Sequence, residues 1–268
     1  ATNKDDEAWV NALADRHVGS VSLPVREAWQ ILFNDIYVQV PKTAGILPTY
    51  RPKMGENSGR TKTNYSNKQL LLVWQNLLDA SDLRRDALRL DVISVGRQLL
   101  GNYFLTVKNE FDKMYQTKDL AALNMRASEM RELLVDIDKL TSYHDYTSLS
   151  KWISDARGLS KDPVIQDYYA KNARNLVTTW GGTLNDYASR AWSGLISDYY
   201  SIRWNMYIDA VLRAVESKTE FSQKALDDAI KQFEDHWVSS NKQVERKVEG
   251  DLMNYAHFLL NKYKTRLE

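Results

Sequence analysis

Apolar residues recur along this chain at steps of three and four, and no stretch alternates apolar with polar residues long enough to form a half-buried strand. The pattern predicts an all-α fold, an irregular bundle of about ten helices without a β-sheet. Trp9 and Leu13 stand one turn apart in a first helix over about 5–17, with acidic residues at its start and Gly19 placed to end it. Pro24 suits the first turn of a second helix, whose stripe is Val25, Ala28, Trp29, Leu32 and Ile36 and whose stop is Pro41. From 41 to 66 the periodicity fails among scattered Pro and Gly. The segment reads as a long loop, most simply a surface excursion.

Beyond it, Asn67 can cap a helix carrying Leu70, Leu71, Trp74, Leu77 and Leu78, and Ser81 a longer one through about Tyr115. Leu83, Leu90, Ile93, Leu100, Phe104, Val107 and Phe111 fill one stripe of that longer helix, while Gly96 and Gly101 allow a neighbour to approach closely. Thr117 opens the cleanest amphipathic helix, with Leu120, Leu123, Ala127, Met130, Leu134 and Ile137 on one face. A short helix follows around Trp152 and Ile153. Asp162-Pro163 then reads as a cap followed by a first-turn proline, opening a helix that runs toward Trp180 and breaks at Gly181-Gly182. Helices resume around Asp186 with Tyr187, Ala191 and Leu195, and continue through Tyr207, Ile208, Val211, Leu212 and Val215. Ser222 caps the next, lined by Leu226, Ile230, Phe233 and Trp237, and the last runs from about Asp251 with Leu252, Tyr255, Leu259 and Tyr263. No repeat of fixed length occurs, which disfavours a solenoid. Residues 1–268 are read as one helical domain, although two tightly packed halves also fit the length.

Composition narrows the function more by exclusion than by assignment. Thirty-six basic against 35 acidic residues give a formal charge of +1, which supplies no field for drawing in nucleic acid or anionic lipid. No apolar run reaches membrane-spanning length. Cysteine is absent, so disulfides, thiolate metal sites and a cysteine nucleophile are excluded. His17, His144, His236 and His257 are scattered without the i, i+4 spacing of a helical zinc site; neither metal nor cofactor is expected. The glycine-rich nucleotide loops and the Gly-x-Ser-x-Gly elbow are missing.

Acidic neighbours at Asp136/Asp138, Asp227/Asp228 and Glu234/Asp235 are read as solvated groups, because helix residues one or two apart face different directions. Eight Trp and 15 Tyr are many for this length. Trp29, Trp74 and Trp237 sit at helical spacing and read as core. Trp180 ends a helix against two glycines, where a large ring can serve either as core or as a stacking face for a sugar.

The stretch Ala173-Arg174-Asn175-Leu176-Val177-Thr178-Thr179-Trp180-Gly181, followed by Asn185-Asp186-Tyr187-Ala188, resembles the α-N-acetylglucosaminidases of glycoside hydrolase family 89. Trp192-Ser193-Gly194-Leu195-Ile196-Ser197-Asp198-Tyr199-Tyr200 and Arg203-Trp204 continue the likeness. Upstream, Asp15-Arg16-His17, Ala28-Trp29-Gln30-Ile31-Leu32 and the region of Val38 extend it more loosely over nearly the whole chain. The resemblance implies the helical C-terminal domain of a retaining enzyme that removes terminal α-linked N-acetylglucosamine from glycans. The partner it implies is an upstream TIM-barrel domain of the same polypeptide that carries two catalytic glutamates. No strands are present here to build that barrel. The resemblance therefore puts no catalytic residue on these residues, and the chain by itself is expected to be inactive.

By position, Trp180 and Leu184 match the tryptophan and the aliphatic residue that this family's helical domain contributes to the sugar pocket. Gly182 stands where a proline is common and Asn185 where an aliphatic residue is usual. Periplasmic or secreted location follows from the same resemblance. Two other classes remain at this stage: an autonomous carbohydrate- or protein-binding helical module, and an independent helical enzyme. The latter lacks any nameable cluster of titratable groups.

Overall fold

The computed structural model describes residues 6–37, 45–56, 63, 65–80, 84–180, 186, 188–240 and 248–267. Ten α-helices occur among them: α1 Asp6–Val18, α2 Leu23–Ile31, α3 Asn67–Leu78, α4 Asp86–Thr117, α5 Leu120–Thr141, α6 Leu149–Arg157, α7 Pro163–Val177, α8 Ser201–Glu216, α9 Gln223–Ser239 and α10 Leu252–Leu267. Single π-helical turns cover Leu32–Tyr37 and Ile196–Tyr200. The described residues form no sheet, and their one isolated bridge joins Ser148 to Ser193. The all-α expectation therefore holds. Pro41, Ser81 and Leu83 lie outside the described residues.

Two compact units are distinguished. The first combines residues 1–44, 59–102 and 249–268, and the second residues 45–58 and 103–248; the boundary falls within α4.

In the first unit α1 packs on α2, α2 on α3, and α10 on α3. The face of α1 that enters the core is Val10, Ala14 and Val18, whereas Trp9 is exposed. The Trp9/Leu13 pairing read from the sequence thus chose the neighbouring face. A helix this short offers two apolar arcs, and the partner helix decides between them. Gly19 ends α1 as expected: at φ +87° its N–H donates to the Asp15 carbonyl at 2.7 Å. On α2 the buried set Val25, Ala28, Leu32 and Ile36 matches the pattern and runs on into the π turn, with Trp29 half-buried at its edge. The cap of α3 is Ser66, one residue before the expected Asn67, and it forms a reciprocal capping box with Gln69. Gly96 has its close neighbour, for a Cβ there would lie 2.6 Å from the fully buried Trp74 indole, whose Nε1 donates to the Val92 carbonyl.

In the second unit α5 packs on α8, α6 on α7, and α8 on α9. Phe104 and Phe111 of α4 meet Trp204 and Tyr207 of α8, with edge-on Phe104–Trp204 centroids 4.9 Å apart. α5 buries Leu123, Ala127, Met130, Leu134 and Ile137 as expected, but Asp119 caps it, not Thr117. Lys118 adopts φ +54° and ends α4 first.

Residues 46–52 of the 41–66 loop are not a surface excursion, whereas Lys53, Gly55, Glu56 and Ser66 are exposed. Ile46, Leu47 and Thr49 are buried, and the Pro48 carbonyl accepts from Trp204 Nε1 at 2.9 Å. Gln223 accepts from the Met54 N–H and donates to the Pro52 carbonyl. Gly55 is held at both ends, its N–H by Asp112 and its carbonyl by the ammonium of Lys108. Lys108 is fully buried; desolvation lowers its pKa, opposed by the Asp112 carboxylate 2.8 Å away.

Candidate functional site

α7 begins as its sequence predicts, with Asp162 accepting from the Val164 N–H at 2.8 Å and Pro163 in the first turn. Its inner face buries Ala170, Ala173, Arg174 and Val177. The opposite face exposes Ile165, Tyr168 and Leu176, three apolar residues within one narrow arc of the helix. Thr178 stops the helix at φ −133°, ψ −85°, and its hydroxyl donates back to the Arg174 carbonyl. Asn175 then holds the next two residues, its carbonyl taking the Trp180 N–H at 2.8 Å and its side chain the Thr179 hydroxyl at 2.9 Å. Trp180 is thereby fixed by its backbone while 42% of its surface stays exposed. Trp180 is therefore not enclosed in the way that Trp74 and Trp204 are. Leu184, Gly181, Gly182 and Asn185 lie outside the described residues.

At the far side of this segment Asp186 stands in the left-handed region at φ +62°, and its N–H donates to the Thr178 carbonyl at 3.2 Å. Its carboxylate is buried and receives a two-pronged bond from Arg203 of α8, at 2.6 and 3.1 Å. The same guanidinium donates to Glu234 of α9 at 2.9 Å, and Arg51 pairs with the second oxygen of Glu234. Tyr199 and Tyr200 place their rings 4.9 and 5.2 Å from the Arg203 guanidinium carbon. Burial alone would lower the Arg203 pKa, but the carboxylates, Asp186 foremost, reverse this and drive it upward. Desolvation pushes Tyr199 and Tyr200 upward too, so both phenols stay neutral. Two charges of each sign are brought together here, Asp186 and Glu234 with Arg203 and Arg51.

The chain from Asp186 to Gly194 is not helical where described, contrary to the pattern read from Asp186 and Ala191; helical backbone resumes at Leu195. Asp186 and Ser189 both take positive φ, and Ser193 bonds sideways to the chain before α6: its N–H donates to the Thr147 carbonyl and its carbonyl accepts from the Leu149 N–H. Asp138 of α5 then receives the Gly194 and Ser197 N–H groups at 2.8 and 2.9 Å, starting the π turn. Desolvation raises its pKa, partly offset by those donors.

The acidic pairs also need correction. Asp136 and Glu234 are buried and Asp138 is largely enclosed, whereas Asp228 and Asp235 are the exposed groups expected. A helix pattern marks a residue as polar without showing whether a distant cation meets it. Glu234 and Asp138 are occupied in holding backbone and arginine.

The described residues thus form an all-helical fold with an exposed tryptophan just beyond α7 and a buried ionic cluster at Asp186. Residues 9–262 match the family model for the alpha-N-acetylglucosaminidase (NAGLU) C-terminal domain, and the chain belongs to that family. Human alpha-N-acetylglucosaminidase is 27% identical over 98% of the chain, which corresponds to 36% of the human protein. A family 89 glycoside hydrolase from Clostridium perfringens, in complex with 2-acetamido-1,2-dideoxynojirmycin, has the same fold at a TM-score of 0.84 and 23% identity, over 96% of this chain and 31% of that one. A second structure of the clostridial protein, in complex with its substrate GlcNAc-alpha-1,4-galactose, gives 0.85 and 22%, over 98% and 32%. The chain therefore spans about a third of the length of the relatives it matches.

Proposed function

We propose that this domain serves a larger, secreted or periplasmic α-N-acetylglucosaminidase, packing on its catalytic barrel and lending Trp180 to the wall of the sugar pocket. The observation that carries the reading is the Trp180 ring, exposed just beyond the end of α7, a helix that also leaves Ile165, Tyr168 and Leu176 uncovered. Uncovered apolar side chains on α7 together with an exposed tryptophan have the character of an interface. The relatives contain about twice this much chain again, enough to cover it. The chemistry itself belongs to the remainder: retaining hydrolysis uses two carboxyl groups about 5 Å apart, one as acid/base and one as nucleophile. An indole bordering the pocket would offer its face to the apolar side of the sugar ring. Leu184 would stand beside it on the grounds of resemblance.

The test is Trp180→Ala in the full-length polypeptide, with kcat/KM measured on an aryl α-N-acetylglucosaminide and Tm on the same preparation. Loss of a stacking wall should lower kcat/KM about tenfold to hundredfold, by analogy with base–aromatic stacking, and leave Tm nearly unchanged. A large fall in Tm with near-normal kinetics would return Trp180 to the core.

A further inference from the structure

We propose that residues 52–56 form a strap that opens and closes over α4 while the helices beneath it stay folded, and that Lys108 is the latch that sets how often it opens. All the groups concerned belong to the second unit. The described backbone bonds of the strap run to side chains of α4 and α9. Gln223 of α9 receives the Met54 N–H at 3.0 Å and donates to the Pro52 carbonyl at 3.2 Å. On α4, Asp112 takes the Gly55 N–H at 2.8 Å and the Lys108 ammonium reaches the Gly55 carbonyl. Pro52 is buried and Met54 half-buried, but Lys53, Gly55 and Glu56 are exposed, and a Cβ placed on Gly55 would meet nothing within 4 Å. The outer side of the strap is thus open to water. Just upstream the chain is held more firmly, with Leu47, Pro48 and Thr49 buried and the Pro48 carbonyl bound by Trp204. A short segment with little buried apolar surface, tied by a few bonds within reach of water, is of the kind that opens well below the free energy of global unfolding.

Lys108 is the group whose surroundings change most between the two states. With the strap closed its side chain has no exposed surface, and its charge lies between the Gly55 carbonyl and the Asp112 carboxylate. When the strap leaves, Asp112 keeps Lys108 and Tyr207 as partners, and Gln223 keeps Asp227. Lys108 gives up the Gly55 carbonyl and regains water. Closing therefore strips an ammonium of its hydration in exchange for one carbonyl, with Asp112 beside it in both states, so large opposing terms nearly balance. Desolvation lowers the Lys108 pKa against the pull of Asp112, and Lys53 on the strap itself adds a positive charge in the same sense. An apolar side chain at 108 would leave both the Gly55 carbonyl and the Asp112 carboxylate without their cation under a closed strap, and would tip the balance toward opening.

Hydrogen exchange on the full-length polypeptide, read by fragmentation mass spectrometry that resolves single amides, tests the device. The Met54 and Gly55 amides should exchange on the order of a hundredfold faster than those of the buried face of α5, because they open without it. Lys108→Met should speed both strap amides about tenfold, the worth of a bond to a charged group, and leave the ratio among the α5 amides and their rates nearly unchanged. Lys108→Gln, which removes the charge but keeps a donor of shorter reach, should act in the same direction and serves if Lys108→Met fails to fold. Gln223→Ala cuts the bonds to Pro52 and Met54 at the first position of α9, and should speed Met54 and Gly55 together if the strap moves as one piece. Strap amides that exchange no faster than α5, or a Lys108 variant that speeds strap and α5 by the same factor, would overturn the proposal. So would a Gln223→Ala variant in which Met54 alone is affected.

Discussion

α5 and the described residues between Thr178 and Tyr200 both contribute side chains to the interior, yet different forces hold them. α5 is kept in place by Leu123, Ala127, Met130, Leu133, Leu134, Ile137 and Leu140, an apolar face that needs only another apolar face to meet. The described residues of the 178–200 chain rest on named polar bonds: Asp186 to Arg203, Ser193 to Thr147 and Leu149, Gly194 and Ser197 to Asp138. Burial of apolar surface is non-directional and tolerates small shifts, whereas a buried ionic bond is satisfied in one geometry only. A helix that supports the core can use the first. A segment without regular helix, such as the described residues from Asp186 to Gly194, relies on the second.

Truncating the ionic anchor should give the largest effect. Arg203→Ala leaves Asp186 and the inner oxygen of Glu234 buried without their cation, and a broken buried pair costs about 3–5 kcal/mol. Urea unfolding followed by circular dichroism measures this, and a loss below 1 kcal/mol on that scale would mean that water replaces the guanidinium. Next comes Leu134→Ala on α5, where a deleted leucine side chain in a close-packed core costs about 2–5 kcal/mol. If α5 is held only by area and fit, Leu134→Met should recover most of that loss, since volume-conserving swaps cost less than about 1.5 kcal/mol. No conservative partner of that kind exists for Arg203.

The smallest effect is a pH dependence at Asp138. Its folded pKa is raised by desolvation, so the folded state binds the proton more tightly than the unfolded chain. The stability it contributes is greatest below the unfolded carboxylate pKa and is lost as pH rises through the raised folded value. The stability difference between the native chain and Asp138→Asn should therefore grow in favour of the native chain as pH falls through the acid range. A difference that stays flat or shrinks over that range would mean that its N–H donors outweigh burial.

The same contrast sets what could be read in the sequence. Caps such as Asp162, Ser222 and Asp251 are local signals, and each holds the N–H groups that its position predicts. Gly96 was legible because a glycine inside a long apolar stripe has few uses besides admitting a neighbour such as Trp74. The return from Asp186 was misread as helix because its apolar spacing is helical, while two positive-φ residues and a sideways pairing with Thr147 and Leu149 override it. Glu234 looked like surface because nothing nearby announces a buried partner; Arg203 lies 31 positions away. The prominence of Trp180 came from the glycines after it and from family likeness, and its exposure from the structure alone.

The interleaving of the two units bears on how the chain reaches this state. Residues 45–58 belong with 103–248, and the helices before them belong with α10 at the other end. Neither unit can finish as it emerges from a ribosome. The bonds of Gly55 to Lys108 and Asp112 wait for α4, those of Met54 and Pro52 wait for Gln223 far downstream, and α3 waits for α10. Closing such long separations is slow, and until the last helix arrives the apolar face of α3 is open to other chains. The polypeptide is therefore expected to depend on protection during synthesis, and a chain stopped before α10 is a candidate for aggregation even though most of its helices are already written.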